Sequence, residues 1–219
     1  MKKKIKNTLT KRLVWNFEIV NNHLLNWQKL PATAKDRIHW ETRFFWPEDS
    51  IINLIGLADT FLDLTNYEIK GKKDLYILCA QSHFNIKQRR AQLLYKPLIK
   101  EKKSILGYGE KINLTDYPLT ASLPGTANWN MKKMLLFLQS TKKINVAVNK
   151  EALIYKFTTI PSVRLELARL QVNGRTFFTA CIEGRSCILV RQISDYIFAA
   201  QKPCDYVNFL KLQSKLLTL

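Results

Sequence analysis

Lys87 and Arg89 stand two apart in the run Asn85-Ile-Lys-Gln-Arg-Arg90, and Lys96 closes the neighbouring run Leu93-Leu-Tyr-Lys96. A strand sends alternate side chains to opposite faces, so Lys87 and Arg89 share a face, and Lys96 joins them if the two runs pair as a hairpin. Such a row of cations repels itself unless an anion sits among it. Anion binding is therefore the chemistry to expect, and the question is which anion.

Composition narrows the answer. Lys and Arg number 35 against 17 Asp and Glu, a formal net charge of +18 over 219 residues. That balance points to a polyanionic partner: nucleic acid, an anionic lipid surface or a phosphate-rich small molecule. An outward nucleic-acid surface would draw on the basic clusters at residues 2–4, 100–103 and 132–133, which are short and mostly fall in predicted loops or ends. The tryptophans Trp15, Trp27, Trp40, Trp46 and Trp129 interleave with no basic cluster, so they read as packing residues rather than base-stacking platforms.

Hydrophobic residues make up 47% of the chain, enough to bury a sizeable core in one domain. Cys79, Cys181, Cys187 and Cys204 form no C-x-x-C pair, so neither a structural zinc site nor a disulfide framework is expected, and a reducing cytoplasm fits best. The basic start Met1-Lys-Lys-Lys is followed by Asn16, Glu18, Asn21 and Asn22, which interrupt the apolar stretch a secretion signal needs. Nowhere do some 18 apolar residues run together, so no membrane-spanning helix is expected.

A strand-rich middle must position the cations. Leu13, Phe17, Val20 and Leu24 recur at helical spacing and predict an amphipathic N-terminal helix over residues 13–25, in a basic extension (1–35) ahead of a main domain (36–219). Residues 37–46 alternate, with Arg37, His39, Glu41 and Arg43 on one face and Ile38, Trp40, Thr42 and Phe44 on the other. Further strands are predicted over 74–79, 84–89 and 92–99. Residues 100–124 read as loop with a strand at 110–114, and 130–139 as a short helix. Strands resume over 144–148, 152–157, 163–172 and 175–183, the last two joined by the hairpin turn Asn173-Gly174. Ser186 caps a helix running to about residue 201, and Asp205 caps another ending near 217.

An antiparallel meander is the simplest pairing. Strands charged on one face and apolar on the other suit either an open sheet with a wet face or a barrel with a polar interior, and closure removes the unpaired edges. The expected fold class is thus α+β: an antiparallel β-barrel with flanking helices and an N-terminal helix.

In this order the motifs resemble the CYTH superfamily, the triphosphate tunnel enzymes, which include thiamine triphosphatases, class IV adenylyl cyclases, tripolyphosphatases and RNA triphosphatases. The family's opening Glu-x-Glu-x-Lys strand is matched by His39-Trp-Glu-Thr-Arg43, with His39 for the first Glu and Arg43 for the Lys. Its Arg-x-Arg strand is matched by Lys87-Gln-Arg89, and the next strand, ending in Lys, by Leu94-Tyr-Lys96. Lys150-Glu-Ala152 matches half of a Lys-x-Arg pair, Arg164-Leu-Glu166 an acidic strand, and Ile182-Glu183 a final Glu strand. The closing Tyr-x-x-x-Leu segment looks like Tyr206-Val-Asn-Phe-Leu210. The likeness spans about residues 36–212 and lies in the order of short motifs.

What the resemblance implies is a tunnel in which cations hold a triphosphate chain and inward carboxylates hold Mg²⁺ or Mn²⁺, the metal polarising phosphorus and positioning water. It implies Glu41, Glu166 and Glu183 as metal ligands and catalytic residues, and Arg43, Lys87, Arg89, Lys96, Lys150 and Arg164 as phosphate ligands. His39 stands where the family keeps an acid, and is either a further metal ligand or a histidine bonded to its neighbours inside the barrel. The implied function is a divalent-metal-dependent phosphohydrolase acting on inorganic triphosphate or a nucleoside or other organic triphosphate. The alternative is a CYTH-like protein that binds polyphosphate, nucleotide or RNA 5′ phosphates without productive hydrolysis. Each carboxylate also has a plainer reading, as an ion-pair partner of the surrounding Lys and Arg.

Overall fold

The structure is a computed structural model and describes residues 10–20, 24–199 and 201–215. In chain order its strands are β1 (Thr10–Val14), β2 (Phe17–Val20), β3 (His39–Pro47), β4 (Ile52–Ile55), β5 (Tyr67–Cys79), β6 (Asn85–Arg89), β7 (Gln92–Lys96), β8 (Leu98–Lys102), β9 (Ile105–Tyr108) and β10 (Ile112–Asn113). Helix α1 (Met131–Ser140) follows, then β11 (Lys143–Lys156), β12 (Val163–Val172) and β13 (Arg175–Gly184), and finally α2 (Cys187–Phe198) and α3 (Tyr206–Gln213).

Among the described residues, ten strands form one sheet in the order β10-β7-β6-β5-β11-β12-β13-β3-β9-β8, with every pair antiparallel. It is not a simple meander, because β3 leaves its sequence neighbours to pair with β13 and β9. β7 and β8 lie near opposite ends of this order although Pro97 alone separates them, so the sheet must curl until its ends meet. Two contacts mark that meeting: Gly109 N–H donates to the Pro97 carbonyl at 3.0 Å, and Lys96 Nζ on β7 reaches Glu41 on β3 at 2.5 Å. The expected closed barrel is thus a curled sheet held at one corner, with no ladder between β8 and β10 among the described residues.

The curl separates two kinds of side chain. On its outer face Trp40, Phe44, Leu165, Leu167, Ala180 and Ile182 join Leu189, Val190, Ile193 and Ile197 of α2 in the largest core cluster. Ser186 starts α2 by accepting from the Leu189 N–H, as the sequence predicts. α1 covers β6 and β7, with Met131, Met134 and Leu138 packed against Ile86 and Tyr95. At one end of the inner face, α3 plugs the curl: Tyr206, Val207, Phe209 and Leu210 pack on Tyr76, Val146, Val148, Leu170 and Phe177. Elsewhere the inner face is polar, and the site lies there.

Several elements differ from expectation. The N-terminal helix over 13–25 is instead a β-hairpin of β1 and β2, turning at Trp15 with φ 47°, and β2 then pairs in parallel with β4. Phe17 and Ile19 are fully buried while Glu18 between them is not, a period of two carried by β-branched Val14, Ile19 and Val20. Leu24, counted for the apolar helix face, is 59% exposed. Residues 21–23 of that predicted helix, and 1–9 of the basic lead, lie outside the described residues. Leu13, Phe17 and Ile19 share the core cluster of Trp40 and Phe44. Pro97 divides the predicted strand 92–99, and the predicted loop 100–124 contains β9 and part of β8. The two strands expected on either side of Lys150 are a single strand, β11, because β5 and β12 pair with it on both edges through Asn149, Lys150 and Glu151. No helix among the described residues is long and apolar enough to cross a membrane.

Candidate functional site

Inner-facing positions of β3, β5, β6, β7, β11, β12 and β13 converge on a cavity of roughly 270 Å³. All six cations singled out from the sequence line it: Arg43, Lys87, Arg89, Lys96, Lys150 and Arg164. So do Glu41, Glu166 and Glu183. Lys70, Lys72 and Asp74 join them from β5, and Lys111 from the segment before β10. Nine cationic side chains therefore face four carboxylates among the described residues.

The carboxylates are not idle. Glu166 accepts from Arg43 at 3.0 Å with one oxygen and from Lys150 at 2.8 Å with the other. Asp74 accepts from Arg89 through both oxygens, at 2.6 and 2.8 Å, and from Lys87 at 2.9 Å. Glu41 holds Lys96, and Glu183 holds Arg164 at 2.8 Å. Each predicted phosphate ligand is thus also an ion-pair partner. Aromatic faces extend the cage, with Lys96 3.9 Å above the Tyr108 ring and Arg43 5.2 Å from that of Tyr206.

Burial alone would raise the carboxyl groups, but the cations outweigh it. Lys96 and Arg43 hold Glu41 below the usual carboxylate range, and Arg43 and Lys150 hold Glu166 far below it. Asp74 is likewise held down by Arg89 and Lys87. The lysines respond the other way. Burial pushes Lys87 down to about 7, since its carboxylate Asp74 is already shared with Arg89. Lys72 is pushed down to about 8, by burial and then by the facing Lys150. Arg43 keeps one buried donor, Nε, without a partner.

The ligand atoms of Glu41, Glu183 and Cys181 lie within 4.8 Å of one another, the arrangement among the described residues able to hold a metal ion. It arises from register: Glu41 and Glu183 are directly opposite in the β3–β13 ladder, and Cys181 lies two residues back on the same face. Glu166 is outside this group, with both oxygens taken by Arg43 and Lys150. Burial pushes the Cys181 thiol well above its ordinary value, so it stays protonated.

His39 is placed elsewhere. It lines a neighbouring cleft of roughly 820 Å³ that meets the cavity at Arg164 and Ile154, and its Nε2 accepts from Arg185 Nε at 3.1 Å. Burial, and then Arg185, pushes it below its ordinary value. That is a histidine bonded to its neighbours.

Sequence reasoning missed Lys70, Lys72, Asp74 and Tyr76 as site residues. Their signal was present, since they alternate along β5 as Lys87 and Arg89 do on β6; a strand predicted to start at residue 74 leaves out Lys70 and Lys72, and so hides the alternation to which Asp74 and Tyr76 belong. Lys111 and Cys181 carried no comparable signal. The five tryptophans pack in or against the core clusters, as expected, but two of them also meet the basic clusters, with Lys102 over the Trp40 ring and Lys133 over that of Trp129.

No protein-family model matches the chain, and no curated protein matches it. Among solved structures it is similar to one from Bacillus halodurans described as a putative adenylate cyclase, at 12% identity, over 64% of this chain and 80% of that one, with a TM-score of 0.34. The fold described above rests on strand order and register rather than on that likeness.

Proposed function

We propose that the cavity binds a triphosphate-bearing molecule, inorganic triphosphate or a nucleoside or other organic triphosphate, and that the protein is a divalent-metal-dependent phosphohydrolase acting on it. One observation carries this reading: nine cations face four carboxylates in a single cavity, an imbalance that a structural ion-pair network does not need and a multiply charged anion offsets. A phosphate chain presents closely spaced oxygens along its length, and cationic donors reaching in from six strands and from Lys111 suit it.

Glu41 and Glu183 suit a hard divalent ion such as Mg²⁺ or Mn²⁺, because their oxygens are adjacent and fixed by register, whereas protonated Cys181 suits it poorly. When bound there, such an ion would polarise a phosphoryl oxygen. The chain's own part is positioning and charge. Arg89 and Lys87 on β6, Lys150 on β11 and Arg164 on β12 are held by carboxylates at set positions, so their remaining N–H groups are aimed before the anion arrives.

A second reading, binding without turnover, is favoured by the fact that every cavity carboxylate already holds a cation. Incubating the purified protein with tripolyphosphate and Mn²⁺ separates the two. Release of phosphate supports hydrolysis, tight binding without release supports the second reading, and neither binding nor release removes both.

A further inference from the structure

Apart from Lys70, which pairs at 2.8 Å with Glu68, a residue that does not line the cavity, the cavity's cations fall into two sets. Arg43, Lys87, Arg89, Lys96, Lys150 and Arg164 each hold a cavity carboxylate. Lys72 and Lys111 have no carboxylate within ion-pair distance among the described residues.

Lys72 is directly opposite Lys150 in the β5–β11 ladder, and both line the cavity. Like charges facing each other across a ladder are destabilising, and here only Lys150 is relieved, by Glu166. Glu166 acts favourably on Lys72 from beyond ion-pair distance, while Lys150, Arg89 and Lys111 all act against its charge. Lys111 approaches from the far side of β6 and β7, where Lys96 and Arg89 act on it more strongly than Glu183 and Glu41 do. Two ammonium groups near Arg89 thus line the cavity without an ion-pair partner of their own among the described residues.

We infer that Lys72 and Lys111, which line the cavity together with Arg89, form the seat of a phosphoryl group, and that this seat is where an incoming phosphate chain gains its affinity. The inference rests on the triphosphate reading and deepens it, for it divides the cavity by role. An anion placed here can leave the ion pairs standing, because Lys72 and Lys111 have none and Asp74 engages Arg89 through Nε and Nη2 alone, whereas one placed on Arg43 or Lys150 competes with Glu166. The carboxylate-bound cations hold the curl together; the two spare lysines bind the phosphate chain. The same logic separates stability from affinity. Removing a paired cation strands a carboxylate, but removing Lys72 or Lys111 relieves repulsion.

The test titrates inorganic tripolyphosphate, in metal-free buffer, into the full chain and into its Lys72→Met/Lys111→Met double variant, alongside thermal unfolding of both without ligand. The expected loss is about tenfold in affinity per lysine, one charge-assisted hydrogen bond each, with the ligand-free Tm equal to or above that of the parent. Binding by the variant within about threefold of the parent overturns this inference and leaves the triphosphate reading intact. A variant that loses Tm together with affinity overturns it as well, by making these lysines structural. If the parent itself fails to bind, the triphosphate reading falls and takes the inference with it. Lys72→Arg/Lys111→Arg, which keeps both charges, should retain most of the affinity; equal loss in that variant also counts against the seat.

Discussion

Lys72 and Lys150 face each other across the β5–β11 ladder, both lining the cavity, and only Lys150 reaches a carboxylate. That pairing summarises the interior. Four carboxylates fix six cations in place, and the charge left over is what a ligand would meet. Stability and binding are therefore expected to answer to different residues.

Glu166→Gln is expected to be among the most damaging single changes. Glu166 and Arg43 are 6% and 8% exposed, and the change leaves Arg43 buried beside a neutral amide. Breaking a buried pair from one side costs about 3–5 kcal/mol. Glu183→Gln, whose pair with Arg164 is far more open, should cost about 1 kcal/mol or less. Urea unfolding of both variants checks the ranking, and equal losses would count against it.

Anion affinity is expected to fall as pH rises from about 6.5 to 9. Lys87, facing Asp74, Arg89, Tyr76 and Lys111, is pushed down to about 7, and Lys72, facing Lys150, Glu166, Arg89 and Lys111, to about 8. Both lose their charge within that range, while the unfolded chain keeps it. The ligand-free protein should therefore gain stability from these two groups over the pH range where binding weakens. Calorimetry against pH is the check, with Lys87→Met as the control that cancels the ligand's own titration. A parent no more pH-sensitive than this variant would contradict the assignment.

Acid should loosen the curl. Glu41, Asp74 and Glu166 all have folded values below their ordinary ones, so the stability they confer is complete at neutral pH and is lost as pH falls through the carboxylate range. The unfolding midpoint is expected to drop between about pH 5 and pH 3, and less steeply in Glu166→Gln. A midpoint flat over that interval would contradict it.

Glu41→Gln should separate catalysis from binding. It removes one of the two adjacent carboxylates suited to Mg²⁺ or Mn²⁺ and frees Lys96 from its partner. Metal-dependent phosphate release is expected to vanish, while metal-free binding of tripolyphosphate holds or tightens. Release at the parent rate would sink the role given to Glu41.

The site was legible wherever alternation ran unbroken. Glu41 and Arg43 on β3, Lys87 and Arg89 on β6, and Arg164 and Glu166 on β12 were all assignable to one face, because a period of two survives any error at strand ends. What long-range pairing decides was not legible. Lys111 belongs to the cavity only because β10 folds back on β7, and Cys181 sits beside Glu41 only through the β3–β13 register. The N-terminal hairpin shows the converse failure. Leu13, Phe17 and Val20 fit a helical period by coincidence, and the turn at Trp15 together with packing against β4 overrides it. His39 shares the cavity-facing side of β3 by parity, yet it lies where the strand begins, outside the ring of charges and against Arg185.

The most direct test of the central claim is a crystal structure of the protein soaked with tripolyphosphate and Mn²⁺. The account predicts phosphate density inside the curl, in hydrogen-bond contact with Lys72, Arg89 and Lys111, and an anomalous manganese peak between Glu41 and Glu183. Phosphate bound only on the outer surface, or a cavity left without density at saturating ligand, would contradict it.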